Sequence, residues 1–325
     1  MDENSGQPLG EPEPIVTPSK SSRHLAFSAD GKKMIYVQSE AQSNIQGIEF
    51  DEKNGKVIGN PSWITTGDRE VSRAELSPDG TKFLMRQIRR TQDDIVAVNR
   101  DGIGWHDITN DAPFDRFSRW SPNGKKIAFA SDRSGEYEIW ICESDGTNLR
   151  QITFTTSIPD TIQSGTSFPV WSPDGQRMTF YTGEDSFIID LNKGWNEQIP
   201  IKLPRNEKGN VFAVWDWSPD GKKLAGRFIG ENTTGVYSFE TKSLTRIVGG
   251  ENALPAWLSD SRRIIYSQNN KIYLADTETK KTNELLTIDP EKPRSPFISR
   301  DGKLLYYVAH LNKSDIFLLE AQPIQ

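Results

Sequence analysis

Trp120-Ser121-Pro122-Asn123-Gly124-Lys125-Lys126-Ile127-Ala128-Phe129 decides the architecture, because the chain repeats it. It returns as Trp171-Ser172-Pro173-Asp174-Gly175 and as Trp217-Ser218-Pro219-Asp220-Gly221-Lys222-Lys223-Leu224. Variant copies are Phe27-Ser28-Ala29-Asp30-Gly31, Leu76-Ser77-Pro78-Asp79-Gly80, Trp257-Leu258-Ser259-Asp260-Ser261 and Ile298-Ser299-Arg300-Asp301-Gly302. The turn Asp or Asn falls at 30, 79, 123, 174, 220, 260 and 301. The mean spacing is about 45 residues, the length of one four-stranded propeller blade.

Each copy reads mechanically. A strand arrives with a large apolar residue that packs between sheets. Proline then ends the ladder, because it has no N–H to donate. Proline presets φ at the second turn position, and glycine supplies the positive φ that closes the hairpin. A second strand follows with apolar alternation, as in Ile127 and Phe129 or Met178 and Phe180. Third strands are legible at Asp94–Val98, Glu138–Ile141, Lys271–Leu274 and Asp315–Leu318. Outer strands end in Ile64-Thr65, Ile108-Thr109, Ile152-Thr153 and Leu286-Thr287.

Composition agrees. Of 325 residues, 34% are hydrophobic and 26% charged, with 25 Gly, 19 Pro and 9 Trp. That supply suits many short, half-buried strands and excludes a thick helical core; no apolar run is long enough to span a membrane. The net charge of −6, without a basic block, argues against nucleic acid. Cys142 is the single cysteine, so there is no intrachain disulfide framework.

The expected fold is all-β: a closed seven-bladed β-propeller of four-stranded antiparallel blades, forming one domain over 1–325. Outer strands finish about 30 residues after the turn Asp (Asp79 to Thr109, Asn123 to Thr153), and that point after Asp301 lies beyond Gln325. The segment Gly6–Ile15 matches the outer-strand segment Gly55–Ile64. Residues 10–17 are therefore expected to complete the last blade beside Ile316–Leu319, with 1–9 flexible.

The run Trp-Ser-Pro-Asn-Gly-Lys-Lys-Ile-Ala-Phe, with Ser131-Asp132-Arg133-Ser134-Gly135 and Asp145-Gly146-Thr147-Asn148-Leu149-Arg150-Gln151-Ile152-Thr153, resembles the TolB-type propeller repeat. The resemblance covers residues 10–320. It implies a periplasmic or otherwise extracytoplasmic binding module; related propellers cap serine peptidases or form sensor regions of bacterial regulators and kinases. The chain departs from TolB itself, which carries a separate α/β domain and six blades. Ser261 and Ser259 replace the turn glycine and proline of the sixth copy, which puts that hairpin's geometry in question.

Catalytic patterns are missing. Gly165-Thr166-Ser167-Phe168-Pro169 lacks the final glycine of a nucleophile elbow and leads into a strand. His24, His106 and His310 lie in different copies without ligand spacing, so neither metal nor cofactor is assigned. The Asp-Gly pairs are hairpin turns, and Cys142 reads as a packed thiol.

The segments leading into the inner strands approach the channel, where propellers commonly dock ligands. They carry Arg23, His24, Arg73, Glu75, Arg116, Arg119, Trp215, Asp216 and Arg294. Five arginines at equivalent places form a rim suited to carboxylates, phosphates or an acidic peptide. Ordinary ion pairs with Glu75, Asp115 and Asp216 compete with that reading. The long connection Phe154–Phe168 reads equally as a lid or partner contact over the channel mouth and as a neutral surface insertion, since added loop length costs little.

The function expected is non-catalytic: a protein- or peptide-binding or ligand-sensing module, monomeric, without membrane insertion, taking a protein, an acidic peptide or a small anion. The alternative is an enzyme, or accessory domain of one, acting on oligosaccharides or peptides in the channel. A third reading, prompted by a start within an outer-strand hairpin, is a sensing fragment of a longer regulator.

Overall fold

In a computed structural model, the structure describes residues 22–30, 32–89, 92–155, 166–231, 233–249 and 254–320. The first strands are β1 (Ser22–Phe27), β2 (Lys33–Asp51) and β3 (Lys56–Trp63). The next sheet holds β4 (Val71–Leu76), β5 (Lys82–Ile88), β6 (Asp93–Asn99) and β7 (His106–Asp107). Then come β8 (Asp115–Trp120), β9 (Lys126–Ser131), β10 (Glu138–Glu143) and β11 (Arg150–Gln151). The third four-stranded sheet is β12 (Ser167–Trp171), β13 (Arg177–Tyr181), β14 (Ser186–Asp190) and β15 (Ile201–Lys202). The fourth is β16 (Phe212–Trp217), β17 (Lys223–Phe228), β18 (Thr233–Ser238) and β19 (Ser243–Gly249). The fifth is β20 (Ala256–Trp257), β21 (Arg263–Gln268), β22 (Lys271–Asp276) and β23 (Thr282–Thr287). Last are β24 (Lys292–Ile298) and β25 (Leu304–Glu320), which share a five-stranded sheet with β1, β2 and β3.

All seven hairpins of the repeat form, but they occupy six sheets, which corrects the expected seven blades. The first and seventh copies merge because β2 and β25 each run on as a single strand where two were expected. Neither 38–44 nor 309–314 holds a proline or glycine to stop the ladder. The last inner hairpin β24–β25 is thus completed by β2 and β3. The expected outer strand at 10–17 lies outside the described residues.

Two compact units result, 1–41 with 312–325, and 42–311. In the first, β1 pairs with the start of β2, and Tyr36 stacks on Phe317 at 5.5 Å. Phe27, the counterpart of Trp120, is 63% exposed rather than packed between sheets.

In the second unit, the turn chemistry repeats closely. The Ser77 hydroxyl donates to Asp79 (2.5 Å) and accepts the Lys82 N–H (3.0 Å). The Gly80 N–H donates to Ser77 O (2.8 Å) at φ +72°. Ser121/Asn123, Ser172/Asp174, Ser218/Asp220 and Ser299/Asp301 make the same side-chain bond. The serine, unexplained by the sequence reading, is a second clasp on the hairpin. The doubtful sixth hairpin forms too, with Ser261 at φ 54° and its N–H donating to Leu258 O.

Alternation along the second strand glues the sheets together. On β9, Ile127 and Phe129 pack against Leu84 and Ile95 of the preceding sheet, while Ala128 and Ala130 meet Met178 and Phe180 of the following one. Analogous clusters join β12–β15 to β16–β19, that sheet to β20–β23, and both β20–β23 and β4–β7 to the sheet holding β24 and β25. Every sheet in this unit therefore has two packed neighbours. Middle strands are buried on both faces, as in β6, and outer strands such as β23 are mostly exposed. The expectation of half-buried strands is corrected: the modest apolar supply is concentrated in the middle of each sheet.

One sheet is packed to the limit. Gly226 pairs with Gly235 across β17 and β18 beside the rings of Phe212 and Phe228. A Cβ on Gly226 would lie 2.3 Å from Ala213 O and 2.8 Å from the Phe212 ring. Gly226→Ala is expected to cost about 2–3 kcal/mol through overpacking. A urea denaturation midpoint equal to wild type would contradict this.

Among the described residues, no helix is long and apolar enough to cross a membrane.

Candidate functional site: a cationic central channel

In the 42–311 unit five inner strands carry a β-bulge at the same place: Ser72/Glu75, Arg116/Arg119, Ser167/Val170, Val214/Asp216 and Arg294/Phe297; β1 of the other unit carries it at Arg23/Ala26. Four bulge residues of the 42–311 unit are left-handed, Arg73 (φ 57°), Phe117 (59°), Phe168 (57°) and Ser295 (49°), as is His24 (55°) on β1. Side-chain-bearing residues resist that region, so the ladder on either side must hold them there. The result is convergence. Arg73, Phe117, Phe168, Trp215, Pro255 and Ser295, one from each of the six sheets' inner segments, line a chamber of about 60 Å³.

Arg73 stands at its centre. Its guanidinium lies 4.5 Å from the Phe117 ring, 5.2 Å from Phe168 and 4.6 Å from Trp215. Phe168 in turn lies 4.2 Å from both Phe117 and Trp215. Among the described residues Arg73 makes no hydrogen bond or salt bridge. Burial, then the fields of Arg119, Arg86, Arg227 and Arg294, draw its pKa down to about 9, so it stays cationic at neutral pH.

On one side the chamber opens into a cavity of about 630 Å³. Among the described residues its lining holds the cations Arg73, Arg86, Arg227, Lys292 and Arg294 and the carboxylate Glu70, with Arg86 paired to Asp93 at 2.6 Å. Burial raises the Glu70 pKa, against the pull of Arg86 and Arg294. His310, which the sequence analysis left without a role, also lines this cavity, hydrogen-bonded to Ser43 at 2.7 Å.

On the other side the channel is crossed. Arg119 Nη2 donates to Trp215 O (2.6 Å), two sheets away, and Nη1 lies 3.7 Å from Glu75. The Trp120 N–H donates to Glu75 (2.8 Å), and those of Trp217 and Trp257 to Asp216 (2.9 and 2.7 Å). Burial pushes Glu75 up to about 7, with Asp216 adding to the rise and Arg119 opposing it. Burial likewise raises Asp216. Beyond this septum the second mouth is ringed by Pro78, Pro122, Pro173 and Pro219 from the repeated turns.

Glu75 has a consequence for pH. A carboxyl whose folded pKa exceeds its unfolded value takes up its proton first in the folded state. Stability from this group therefore rises as pH falls from above 7 toward 4.5, and is lost as pH rises through 7. The difference between pH 5.5 and 8 is about 2 kcal/mol. Glu75→Gln, whose amide oxygen still accepts the Trp120 N–H, is expected to flatten this dependence. Melting curves with an unaltered pH slope would show that Glu75 does not carry it.

Of the residues named from sequence, Arg73, Glu75, Arg119, Trp215, Asp216 and Arg294 line the channel. Arg116 is held by Asp93 at 2.7 Å, a pairing the sequence did not suggest. Arg23 and His24 belong to the other unit, where His24 is exposed. Asp115 binds Arg133 rather than a rim arginine. The expected lid falls largely on 156–165, outside the described residues.

Phe117, Phe168, Arg86, Arg227 and Lys292 were missed. A signal existed for the first two: counting three back from Leu76, Trp120, Trp171 and Ile298 gives 73, 117, 168 and 295, and only charged residues there were considered. Ser167, the one serine weighed as a nucleophile, opens β12 and is followed by strand. Among the described residues, no three of His, Cys, Asp and Glu gather as a metal site.

Similarity to known proteins agrees with this architecture. The chain is 32% identical to the uncharacterized peptidase YuxL of Bacillus subtilis over 155 residues, 46% of this chain and 21% of that protein. It is 29% identical to the uncharacterized protein Atu1656 of Agrobacterium fabrum over 118 residues, 33% of this chain and 37% of that one. The matched stretches thus span well under half of these relatives. The structure of a putative TolB from Agrobacterium tumefaciens superimposes with a TM-score of 0.65 at 16% identity, covering 84% of this chain and 99% of that one. A family profile described as TolB beta propeller domain matches residues 9–201, more than half of the chain. With bulged inner strands, repeated Ser-Pro-Asp-Gly hairpins and this match together, the chain belongs to the TolB β-propeller family.

Proposed function

We propose that this chain is a non-catalytic binding module, a propeller closed through β24, that captures an anionic group of a protein or peptide partner at the cationic mouth of its channel. The observation that carries the reading is the charge of one cavity: Arg73, Lys292 and Arg294, which make no hydrogen bond or salt bridge with a described residue, gather there within a chain of net charge −6. Arg294 and Lys292 are exposed there, and neither makes a hydrogen bond or salt bridge with a described residue. The enzyme alternative would draw on Glu75 and Asp216, but both are engaged as acceptors of backbone N–H groups, which suits latches between sheets. An extracytoplasmic location and a monomeric state belong to the same proposal and rest on the family resemblance.

The test is a titration of fluorescein-labelled peptides of alternating Glu and Gly, or Gln and Gly. The acidic peptide is expected to bind at least about tenfold more tightly, and Arg294→Ala to weaken it about tenfold, as for one charge-assisted hydrogen bond. Melting temperature should hardly change. Equal binding of both peptides would sink the reading.

A further inference from the structure

We infer, building on that reading, that Arg73 in its aromatic clamp is the anchor for the free C-terminal carboxylate of a peptide chain. Phe117, Phe168 and Trp215 lie 4.5–5.2 Å from the guanidinium, which holds its charge in place by cation–π contact. No described residue accepts a hydrogen bond from its N–H groups. A planar fork of unspent donors matches the two oxygens of one carboxylate.

The shape of the channel selects an end of a chain. The chamber around Arg73 is small, about 60 Å³ against about 630 Å³ for the cavity in front of it, which suits a single carboxylate rather than a folded segment. Behind it the bond from Arg119 to Trp215 O, with Glu75 and Asp216 alongside, bars the way to the proline-ringed mouth. The crossing favours the end of a chain over a strand that threads through. In front, the 630 Å³ cavity accommodates the last few residues, with Arg294 and Lys292 drawing in their negative charge. The site is also prebuilt. Arg73, Phe117, Phe168 and Ser295 are all held left-handed, a cost retained in four inner strands at one level of the channel.

The experiment uses one labelled peptide, fluorescein-Glu-Gly-Glu-Gly-Glu-Gly-Ala, made with a free C-terminus and as the C-terminal amide. With the wild-type chain, the amide is expected to bind more than tenfold more weakly. Arg73→Lys should weaken the free acid as much as Arg73→Ala, because an ammonium cannot form the planar fork, and neither change should alter binding of the amide. Amide binding as tight as the acid, still dependent on Arg294, would overturn the chain-end assignment and leave the cationic mouth standing. Binding of neither peptide would overturn both. N-acetylalanine displacing the free acid at concentrations near the peptide's own Kd would reassign the chamber to a small carboxylate and likewise overturn the assignment. The amide comparison needs no substitution, so it stands even if an Arg73 variant folds poorly.

Discussion

Replacing Asp93 with alanine is expected to lower the unfolding free energy by about 2–4 kcal/mol. Asp93 lies on β6 with its side chain 3% exposed, and one oxygen accepts both Arg86 Nη2 (2.6 Å) and Arg116 Nε (2.7 Å). The two guanidinium groups come from neighbouring sheets, β4–β7 and β8–β11. Without the carboxylate, two cations face each other beside a cavity already rich in arginine, with nothing to offset the desolvation of either. The estimate stays below that for a fully enclosed pair because Arg86 and Arg116 keep 19% and 32% of their surface and can swing toward the channel. Combining Asp93→Ala with Arg116→Ala should recover part of the loss. Strictly additive costs by urea denaturation would mean that the pair does not join the two sheets.

Phe83→Ala should cost about 3–5 kcal/mol, and Phe83→Leu about 1–1.5 kcal/mol. Phe83 is wholly buried on β5 and meets Tyr306 (5.1 Å) and Phe297 (6.2 Å) edge to face. Both partners come from the far end of the chain. This ring therefore packs β4–β7 against the one sheet of the 42–311 unit assembled from sequence-distant strands. Truncation leaves a cavity that the flanking Ile45, Val71 and Met85 can only partly refill. A loss below about 1 kcal/mol for the alanine variant would show that this joint contributes little.

Much of the site was legible as position and little of it as partnership. The equivalence of the inner-strand segments identified Arg73, Trp215 and Arg294 before any coordinates. It could not reveal that Arg73 stacks on rings from three other sheets, because rings at 117, 168 and 215 come together only when their strands bulge toward one axis. Arg116 looked like its equivalents, yet Asp93, some 20 residues earlier, takes it out of the rim. Glu75 looked like a neutralising ion-pair partner, whereas its shorter contact is to a backbone N–H.

The sequence alone determined the seven hairpins. Each is fixed locally, within about ten residues, by a serine clasp in six copies, a strand-ending proline in four and a positive φ in the six described turns, with alternating side chains to set the faces. The number of sheets and the partners of the end strands were decided only in three dimensions. A strand's edge hydrogen bonds carry no address, so β2 and β25, with no proline or glycine within 38–44 or 309–314 to stop them, extended and paired with each other. The clamp around Arg73 arose the same way: local rules set each bulge, but only the arrangement of six inner segments around one lumen turned them into a chamber.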